Sequence, residues 1–537
     1  MTRVADLIAR TLWAAGIRHA FGMPGGEVVT FIDALERAGI RFVLARNETA
    51  AAMMAAGAHA VTVAPGLLVT TLGPGLANAV NGIADASQEH AALLVVSGIV
   101  ERPLRGRYTH QILNHAALLH PLVKASFEIE PEGAVAITLR ALALATTLPC
   151  GPVHLDLSPG TAALPAPAGA AAIPPPRLLQ PAIDPADAAI ATIRTRLAEA
   201  ERPLLMVGYE ALRDGAAESV TRLATEHGIP VLTTYKAKGI LDERHPCALG
   251  GAGLSPRADA LLRPLIDRAD LVLAAGYDPI EMRGNWLDLF KDPGRVVELT
   301  AMPADHGMHQ AGIRVAGPVA GLLAAVAAGL VARSRWAGGE IEQVRAALAQ
   351  AFAAPDPWGP HAVFETLEAA LPADATVTVD SGAHRILLSQ MLRIRRPGGL
   401  LQSAGFCTMG AALPLAVGAR LARPAHPVVA VMGDGGLEMT LGELGTLRDQ
   451  ALPIIVLVLQ DESLALIELK QRQAGLAAIG VRLGATDYPA IAEAFGGTGV
   501  AVSNREDLKK ALQAGFQASR FTLIAARIDA AAYIDRL

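Results

Sequence analysis

The chain is poor in cysteine, in surplus charge and in long apolar runs. Its 537 residues include three cysteines, Cys150, Cys247 and Cys407. Because these lie far apart in the sequence, they form neither a disulfide framework nor a metal-binding cluster. Such sparse cysteine usage predicts a protein of the reducing cytoplasm.

Charge and hydropathy exclude two further classes of protein. The chain has 46 Lys and Arg residues against 51 Asp and Glu residues, a net charge of −5, so we expect no nucleic-acid partner. One apolar stretch, residues 317–332, is rich in Ala and Gly and shorter than the roughly 18 residues that span a membrane. The N-terminal segment is amphipathic, with Asp6 and Arg10 interrupting any signal-peptide core. We therefore expect no membrane partner.

The length and the pattern of apolar runs predict several domains of one class. A chain of 537 residues exceeds what one hydrophobic core normally serves. Short apolar runs alternate with helical patterns throughout, which is typical of α/β domains with doubly wound parallel sheets. We predict three such domains, at residues 1–165, 187–333 and 361–537, joined by a Pro- and Ala-rich linker at 166–186 and a second linker at 334–360.

The most informative stretch is a βαβ pattern in the third domain. Apolar residues 428–432 end at Gly433-Asp434-Gly435-Gly436, and apolar residues 454–459 end just before Asp461. Because parallel strands open their carboxyl ends on one edge of the sheet, Asp434 and Asp461 should face a single site. Two carboxylates there suggest Mg²⁺, and the glycines would let backbone N–H groups approach a phosphate. An isolated Asp-Gly pair is usually a turn, so the spacing carries this argument.

This spacing resembles the thiamine diphosphate motif of acetolactate synthases, pyruvate decarboxylases and benzaldehyde lyase. The resemblance implies that Mg²⁺ is held by Asp434, Asp461 and the Ser463 carbonyl group. It also places Gly433, Gly435 and Gly436 around the diphosphate. The usual asparagine is replaced here by Asp461, which adds one negative charge that Mg²⁺ should tolerate.

The first domain resembles the pyrimidine-binding domain of the same family. The resemblance rests on FGMPGG at 21–26, on RNETAA around Glu48 and on TLGPGLAN at 71–78. It implies that Glu48 hydrogen-bonds the aminopyrimidine ring, promoting the tautomer that removes the thiazolium C2 proton, and that Gly25, Gly73 and Asn78 contact the cofactor. Alternatively, Glu48 is an acid favoured at a helix start.

A loop of the first domain combines two family patterns. Acetolactate synthases carry Phe-Gln-Glu where this chain has His110-Gln111-Ile112, and Thr-Lys where it has Val123-Lys124. Pyruvate decarboxylases carry two adjacent histidines at the first of these points. The resemblance implies that His110 and Gln111 act on the substrate and that Lys124 contacts it.

Two segments of the third domain resemble the supporting parts of the cofactor site. Residues 380–384 resemble a Gly-Gln-His segment, which implies that Gly382 and His384 hold the diphosphate. Residues 405–410 resemble Gly-Leu-Gly-Thr-Met-Gly, which implies that Met409 props the cofactor in a bent shape. Cys407 replaces a glycine whose carbonyl group receives the amino group of the pyrimidine. That backbone acceptor survives if the local dihedral angles allow a side chain.

The resemblance leads to a predicted activity. Pyruvate decarboxylases place an acidic pair beside the reacting carbon, where this chain has Gly26 and Ile467. These two residues suggest an apolar wall without a nearby acid, which preserves the carbanion for a second carbonyl group, whereas the aliphatic side chain of Leu464, a further candidate substrate contact, suits either a carboligase or a decarboxylase. We predict a thiamine diphosphate- and Mg²⁺-dependent carboligase that decarboxylates a 2-oxo acid and condenses it with a carbonyl acceptor, as acetolactate synthases do.

Several rival functions stay open at this point. One is a decarboxylase of a bulky or aromatic 2-oxo acid with His110 as proton donor. An acyl-CoA lyase, a flavin-dependent oxidase and a homologue without activity are further alternatives. FAD is not expected, because residues 277–283 read YDPIEMR where flavin-containing acetolactate synthases carry Arg-Phe-Asp-Asp-Arg. The sequence nevertheless leaves FAD binding open.

The resemblance also predicts the assembly. Glu48 and Asp434 lie on different predicted domains, and the family joins these two domains across a subunit interface. We therefore expect a homodimer or a homotetramer with active sites between subunits.

Overall fold

The structure is a computed structural model, which describes residues 2–107, 109–176, 182–278, 286–302, 306–333, 335–354, 356–534 and 536–537. Its strands form three sheets of six parallel strands each, and helices flank every sheet. The expected class, three doubly wound α/β domains, is confirmed. The central strands read as continuous apolar runs because helices cover both of their faces.

The first sheet has the strand order β2-β1-β3-β4-β6-β5. Its strands are β1 His19–Gly22, β2 Arg41–Leu44, β3 Gly66–Thr70, β4 Leu93–Gly98, β5 Ser126–Glu128 and β6 Pro152–Leu157. The helices of this domain are α1 Val4–Ala14, α2 Val29–Ala38, α3 Glu48–Thr62, α4 Pro74–Gln88, α5 His115–Leu119, α6 Ala134–Thr146 and α7 Pro159–Ala163.

The central sheet has the order β12-β11-β10-β7-β8-β9. Its strands are β7 Pro203–Val207, β8 Val231–Thr233, β9 Ala248–Gly251, β10 Leu271–Ala275, β11 Val296–Thr300 and β12 Ile313–Ala316. Its helices are α8 Ala188–Glu199, α9 Tyr209–Arg213, α10 Ala217–His227, α11 Pro256–Arg268 and α12 Val319–Ala327. No helix in the described part of the chain is long and apolar enough to cross a membrane.

The segment between the central and third domains contains a helix that the sequence analysis did not anticipate, α13 Glu340–Ala351. It packs on α11, and Ile341 and Val344 are buried in the contact. Apolar residues three and four positions apart make this helix amphipathic. In the first predicted linker, the described residues 166–176 and 182–186 form neither helix nor strand.

The third sheet has the order β14-β13-β15-β16-β18-β17. Its strands are β13 Thr376–Val379, β14 Leu400–Gln402, β15 Val428–Gly433, β16 Ile454–Gln460, β17 Thr498–Val502 and β18 Thr522–Arg527. Its helices are α14 Pro360–Ala370, α15 Ala383–Met391, α16 Ala412–Ala422, α17 Asp434–Thr440, α18 Leu444–Asp449, α19 Ala465–Gln473, α20 Tyr488–Ala494 and α21 Arg505–Gln517.

The first and third domains pack through helices α3 and α16. A Cβ atom at Gly57 would lie 2.4 Å from the Leu415 carbonyl oxygen, and one at Gly418 would lie 1.9 Å from the Met54 carbonyl oxygen. Glycines at these points let the two helix backbones touch. Alanines on α3 extend the contact into an apolar cluster shared by both domains.

Candidate active site

The Asp434 carboxylate joins two neighbouring strand ends of the third sheet. Strand β15 ends at Gly433 and pairs with β16 along its whole length. Asp434 begins α17, and its Oδ2 accepts the backbone N–H groups of Asp461, at 3.1 Å, and Glu462, at 2.6 Å. Its Oδ1 accepts the N–H group of Gly435 at 2.9 Å. The structure thus brings Asp434 and Asp461 to one edge of the sheet.

Electrostatics at this edge favour a cation. Asp434 is buried, and burial raises its pKa despite the three N–H groups that it accepts. Burial, followed by repulsion from Asp434, raises the pKa of Asp461 to about 7. Asp461 Oδ1 also accepts the N–H group of Ser463 at 3.0 Å. Carboxylates are the oxygen ligands that Mg²⁺ uses in proteins, so the buried Asp434 and the half-buried Asp461 beside it fit a divalent cation.

All third-domain residues predicted for cofactor, metal or substrate line one cavity of about 270 Å³. They are Gly382, His384, Cys407, Met409, Gly433, Asp434, Gly435, Gly436, Asp461, Ser463, Leu464 and Ile467. Ile467 is 45% exposed and presents an apolar side chain at this cavity.

His384 and two neighbouring glycines, Gly382 and Gly433, form a part of the cavity wall that we call the His384 cradle. A Cβ atom at Gly382 would lie 2.6 Å from the His384 ring, and one at Gly433 would lie 3.3 Å from it. Burial, with the nearby Arg385 guanidinium, lowers the pKa of His384 to about 3, so the ring is neutral. Its buried Nε2 has no hydrogen-bond partner among the residues that the structure describes. An orphaned polar atom beside bare backbone fits a diphosphate group.

Asp380 is a buried supporting residue to which the sequence analysis assigned no role. Its carboxylate accepts the N–H groups of Gly410 and Ala411, each at 2.9 Å. Burial raises its pKa to about 6. The carboxylate therefore fixes the backbone just after Met409. Its place after strand β13 was visible in the sequence, but its orientation toward residues 410 and 411 was not.

Cys407 occupies a backbone conformation that favours glycine. Its φ angle is 58°, in the left-handed region. Its exposed thiol group donates to the Ala404 carbonyl oxygen at 2.9 Å, and Arg385 donates to its sulfur at 3.3 Å. The backbone dihedral angles at residue 407 therefore accept a side chain only with strain.

This strain predicts a difference between two variants. A left-handed residue with a Cβ costs about 1–2 kcal/mol. Alanine restricts the unfolded chain more than glycine does, but only by about 0.4–1 kcal/mol. We therefore expect Cys407→Gly to melt at a higher temperature than Cys407→Ala, since both lose the sulfur contacts and only glycine relieves the strain. Thermal unfolding of the two purified proteins checks this, and equal or reversed melting temperatures would contradict it.

Glu48 is buried at the start of α3, at the carboxyl edge of the first sheet. The helix is capped by Asn47, whose side chain accepts the Thr49 N–H group at 2.8 Å. The Asn78 amide donates to Glu48 Oε2 at 2.6 Å. A Cβ atom at Gly75 would lie 3.2 Å from Glu48 Oε1. The predicted residues Glu48 and Asn78 are thus in contact, beside the Gly73-Pro74-Gly75 turn.

The loop that carries His110 and Gln111 lies against the same turn. Gly73 has a φ angle of 51°, and a Cβ atom there would lie 2.2 Å from the Gln111 carbonyl oxygen. The side chains of His110 and Gln111 are exposed. The structure therefore brings Gln111 to the predicted Gly73 loop and leaves both side chains accessible to a ligand.

Lys124 does not join this group. It precedes β5, whereas Glu48 and Gly73 follow the strands of the same parallel sheet, so Lys124 lies at the opposite edge. Its ammonium group donates to the carbonyl oxygens of Thr147, at 2.6 Å, and Pro149, at 2.9 Å. The structure gives Lys124 a role in holding a loop, and its substrate contact stays a prediction.

Two further residues beside this loop were missed by the sequence analysis. Gly73 donates its N–H group to His115 Nε2 at 3.2 Å, and His115 Nδ1 lies 2.7 Å from Asp156 Oδ1. All three are buried. The His115–Asp156 pair, from the start of α5 and from strand β6, therefore supports the Gly73 turn. Lone histidines and aspartates in a sequence give no sign of such a pairing.

The third-domain cavity does not include Glu48. The residues that line this cavity all belong to the third domain. Glu48 accepts a hydrogen bond from Asn78 of its own domain, and the helix that it begins, α3, packs on α16 of the third domain. The segment used for the expectation on FAD, residues 277–283, lies outside the described residues from 279 onward.

Sequence comparisons decide which family has this arrangement. The chain matches the N-terminal TPP-binding domain of thiamine pyrophosphate enzymes at residues 2–118, their central domain at 190–326 and their C-terminal TPP-binding domain at 380–526. This chain belongs to the thiamine pyrophosphate enzyme family. Thiamine pyrophosphate is the same compound as thiamine diphosphate, so the predicted family and cofactor are confirmed.

Similar members of the thiamine pyrophosphate enzyme family include several acetolactate synthases. The acetolactate synthase of Bacillus subtilis (strain 168) is 30% identical, over 98% of this chain and 93% of that protein. The acetolactate synthase large subunit of Parasynechococcus marenigrum is 30% identical, over 95% of this chain and 85% of that protein. A probable acetolactate synthase large subunit of Methanocaldococcus jannaschii is 27% identical, over 98% and 92%.

Proposed function

We propose that the protein is a Mg²⁺- and thiamine diphosphate-dependent carboligase that acts on a 2-oxo acid and a carbonyl acceptor. The observation that carries this proposal is the third-domain cavity, where the Asp434–Asp461 pair faces glycine backbone and the apolar side chains of Leu464 and Ile467. The acetolactate synthases to which the chain is similar support the substrate class.

Different residues of the cavity would bind the metal ion and the diphosphate group. The carboxylates of Asp434 and Asp461 and the Ser463 carbonyl group would hold Mg²⁺, while the His384 cradle would receive the diphosphate. Met409 lies where it would support the bent cofactor, since it lines the same cavity. When bound, thiamine diphosphate supplies a carbanion-stabilising ring for decarboxylation of a 2-oxo acid.

Glu48 would act from the other half of the site. The amide of Asn78 orients the carboxyl group, and the Gly73–Gly75 turn covers it, so that water is largely excluded. In such surroundings a carboxyl group can exchange a proton with a weakly basic ring nitrogen.

We further propose that two chains assemble to complete each site. Glu48 and Asn78 are not among the residues that line the third-domain cavity, and exposed apolar side chains lie near both groups. Ile112 and Leu113 are exposed near the first, and Phe406 and Ile467 near the second. Clusters of exposed apolar groups of this kind mark subunit contacts. We expect sedimentation to show a dimer or a dimer of dimers, and an active monomer would contradict the proposal.

Product analysis tests the proposed reaction. The purified protein is incubated with thiamine diphosphate, Mg²⁺ and pyruvate, and then with a panel of aromatic and branched 2-oxo acids. We expect a coupled hydroxyketone such as acetolactate. Consumption of the acid without a coupled product would contradict the carboligase. Omission of Mg²⁺ is the control for the metal.

A decarboxylase of a bulky 2-oxo acid is the second candidate. It is favoured by the exposed His110, which stands beside the Gln111–Gly73 contact and could donate a proton to the product. Free aldehyde as the sole product would support it. Visible flavin absorbance of the purified protein would instead point to the flavin-dependent oxidase.

A further inference from the structure

Glu27 lies at the carboxyl edge of the first sheet, as Glu48 does, and has no part in the function proposed above. It follows β1, which lies between β2 and β3 in the sheet. Glu48 follows β2, and Thr71 follows β3. Because adjacent parallel strands open on one edge, Glu27 emerges from the strand next to that of Glu48.

The surroundings of Glu27 are built to hold its carboxylate in place. The Thr71 hydroxyl group donates to Glu27 Oε2 at 2.6 Å. A Cβ atom at Gly98 would lie 2.7 Å from the Glu27 Cβ, and one at Gly25 would lie 2.3 Å from Thr71 Oγ1. Glycine is therefore required at both positions to make room for the Glu27–Thr71 pair. The side chain is half-buried, so solvent or a ligand reaches it.

Thr71 lies between the two glutamates. Its hydroxyl group bonds Glu27, and its methyl group packs on Gly75, where a Cβ atom would lie 2.7 Å from it. The other neighbour of that position is Glu48 Oε1, at 3.2 Å. The two carboxyl groups have different partners, an amide for Glu48 and a hydroxyl group for Glu27. Two acids with different partners in one site can serve different proton transfers.

We propose that Glu27 is a catalytic residue that exchanges protons with the substrate, while Glu48 serves the cofactor. This inference rests on the proposed function. During coupling, the new carbon–carbon bond forms and the π electron pair of the acceptor carbonyl group moves to its oxygen, which takes the Glu27 proton. The Glu27 carboxylate would then take the proton of the hydroxyl group on the donor carbon. This carbon becomes the carbonyl group of the product as its bond to the cofactor breaks, and the electron pair of the broken bond stays with the cofactor.

This inference revises one expectation from the sequence. Gly26 and Ile467 led to the prediction of an apolar wall without a nearby acid. The structure places the carboxyl group of Glu27 one residue after Gly26, where it accepts the Thr71 hydroxyl group. A carboligase needs such a group, because the acceptor oxygen must gain a proton when the new bond forms.

The test compares Glu27→Gln and Glu27→Asp with Glu132→Gln, a control at an exposed glutamate of the same domain. The assay uses a 2-oxo acid that the wild type consumes. We expect Glu27→Gln to lower the turnover at least about 100-fold and to remove one limb of its pH profile, with partial rescue in Glu27→Asp. Three other readouts should not change: the melting temperature, the dissociation constant of thiamine diphosphate, and deuterium exchange at the thiazolium carbon of the bound cofactor.

The outcomes separate this inference from the proposed function. If the wild type couples two carbonyl compounds and Glu27→Gln does so at the same rate and pH profile, the inference is overturned and the carboligase stands. Loss of cofactor affinity or of deuterium exchange in Glu27→Gln would overturn it as well, since a structural role would then explain the lost turnover. If the wild type releases only aldehyde and Glu27→Gln loses this activity, Glu27 stands as the proton donor and the carboligase fails.

Discussion

Replacement of Glu48 by glutamine should leave thiamine diphosphate bound and reduce turnover at least about 100-fold. Glutamine has the shape of glutamate and can still accept from the Asn78 amide that donates to Oε2. It cannot share an acidic proton with the pyrimidine ring. The measurement is the turnover number of the holoenzyme, together with the dissociation constant of the cofactor from calorimetry.

A control variant makes this result specific. Glu132→Gln changes an exposed glutamate of the same domain and should retain full activity. Exchange of the thiazolium proton for deuterium should slow in Glu48→Gln to the same degree as turnover. Retained turnover in Glu48→Gln would remove this residue from the mechanism, and a large loss of cofactor affinity would instead assign it a binding role.

Asp434→Asn should abolish tight binding of both Mg²⁺ and thiamine diphosphate. The carboxylate supplies charge to the metal and accepts three backbone N–H groups, from Gly435, Asp461 and Glu462. An amide loses the charge and turns its NH₂ group toward donors, so the β15 and β16 strand ends would separate. Loss of such a ligand should weaken metal binding at least about 100-fold, since even residues that merely orient ligands are worth 10- to 100-fold. Calorimetric titration with Mg²⁺ and cofactor measures the effect.

Asp461→Asn is the matched control for this prediction. It makes the same chemical change in the other carboxylate, but asparagine is the usual residue at this point in the enzymes that the motif resembles. Asp461 accepts the Ser463 N–H group, which an amide oxygen also accepts. We therefore expect Asp461→Asn to keep cofactor binding and Asp461→Ala to weaken it. Equal affinities for Asp434→Asn and the wild type would refute the metal assignment.

Strand ends were the part of the site most accessible from sequence. Asp434 and Asp461 could be paired from the amino-acid pattern because each follows an apolar run, and the direction of parallel strands places such residues at one edge. The family resemblance, rather than this argument, assigned Glu48 and the Gly73 turn to one site. The direction of parallel strands applies equally to Glu27 and Asp380, which lie directly after the 21–26 motif and inside the 380–384 segment, but the family resemblance gives neither residue a role.

The sequence by itself determined the fold class, the three domains' order along the chain and the strand ends that carry the candidate ligands, because apolar periodicity and strand direction are local properties. Tertiary structure alone decided where side chains point and which loops meet. The bond from Arg385 to Cys407, the bond from Thr71 to Glu27 and the contact of Gly57 with α16 all join residues distant in sequence. Such contacts are set by the packing of one element against another, which no local pattern encodes.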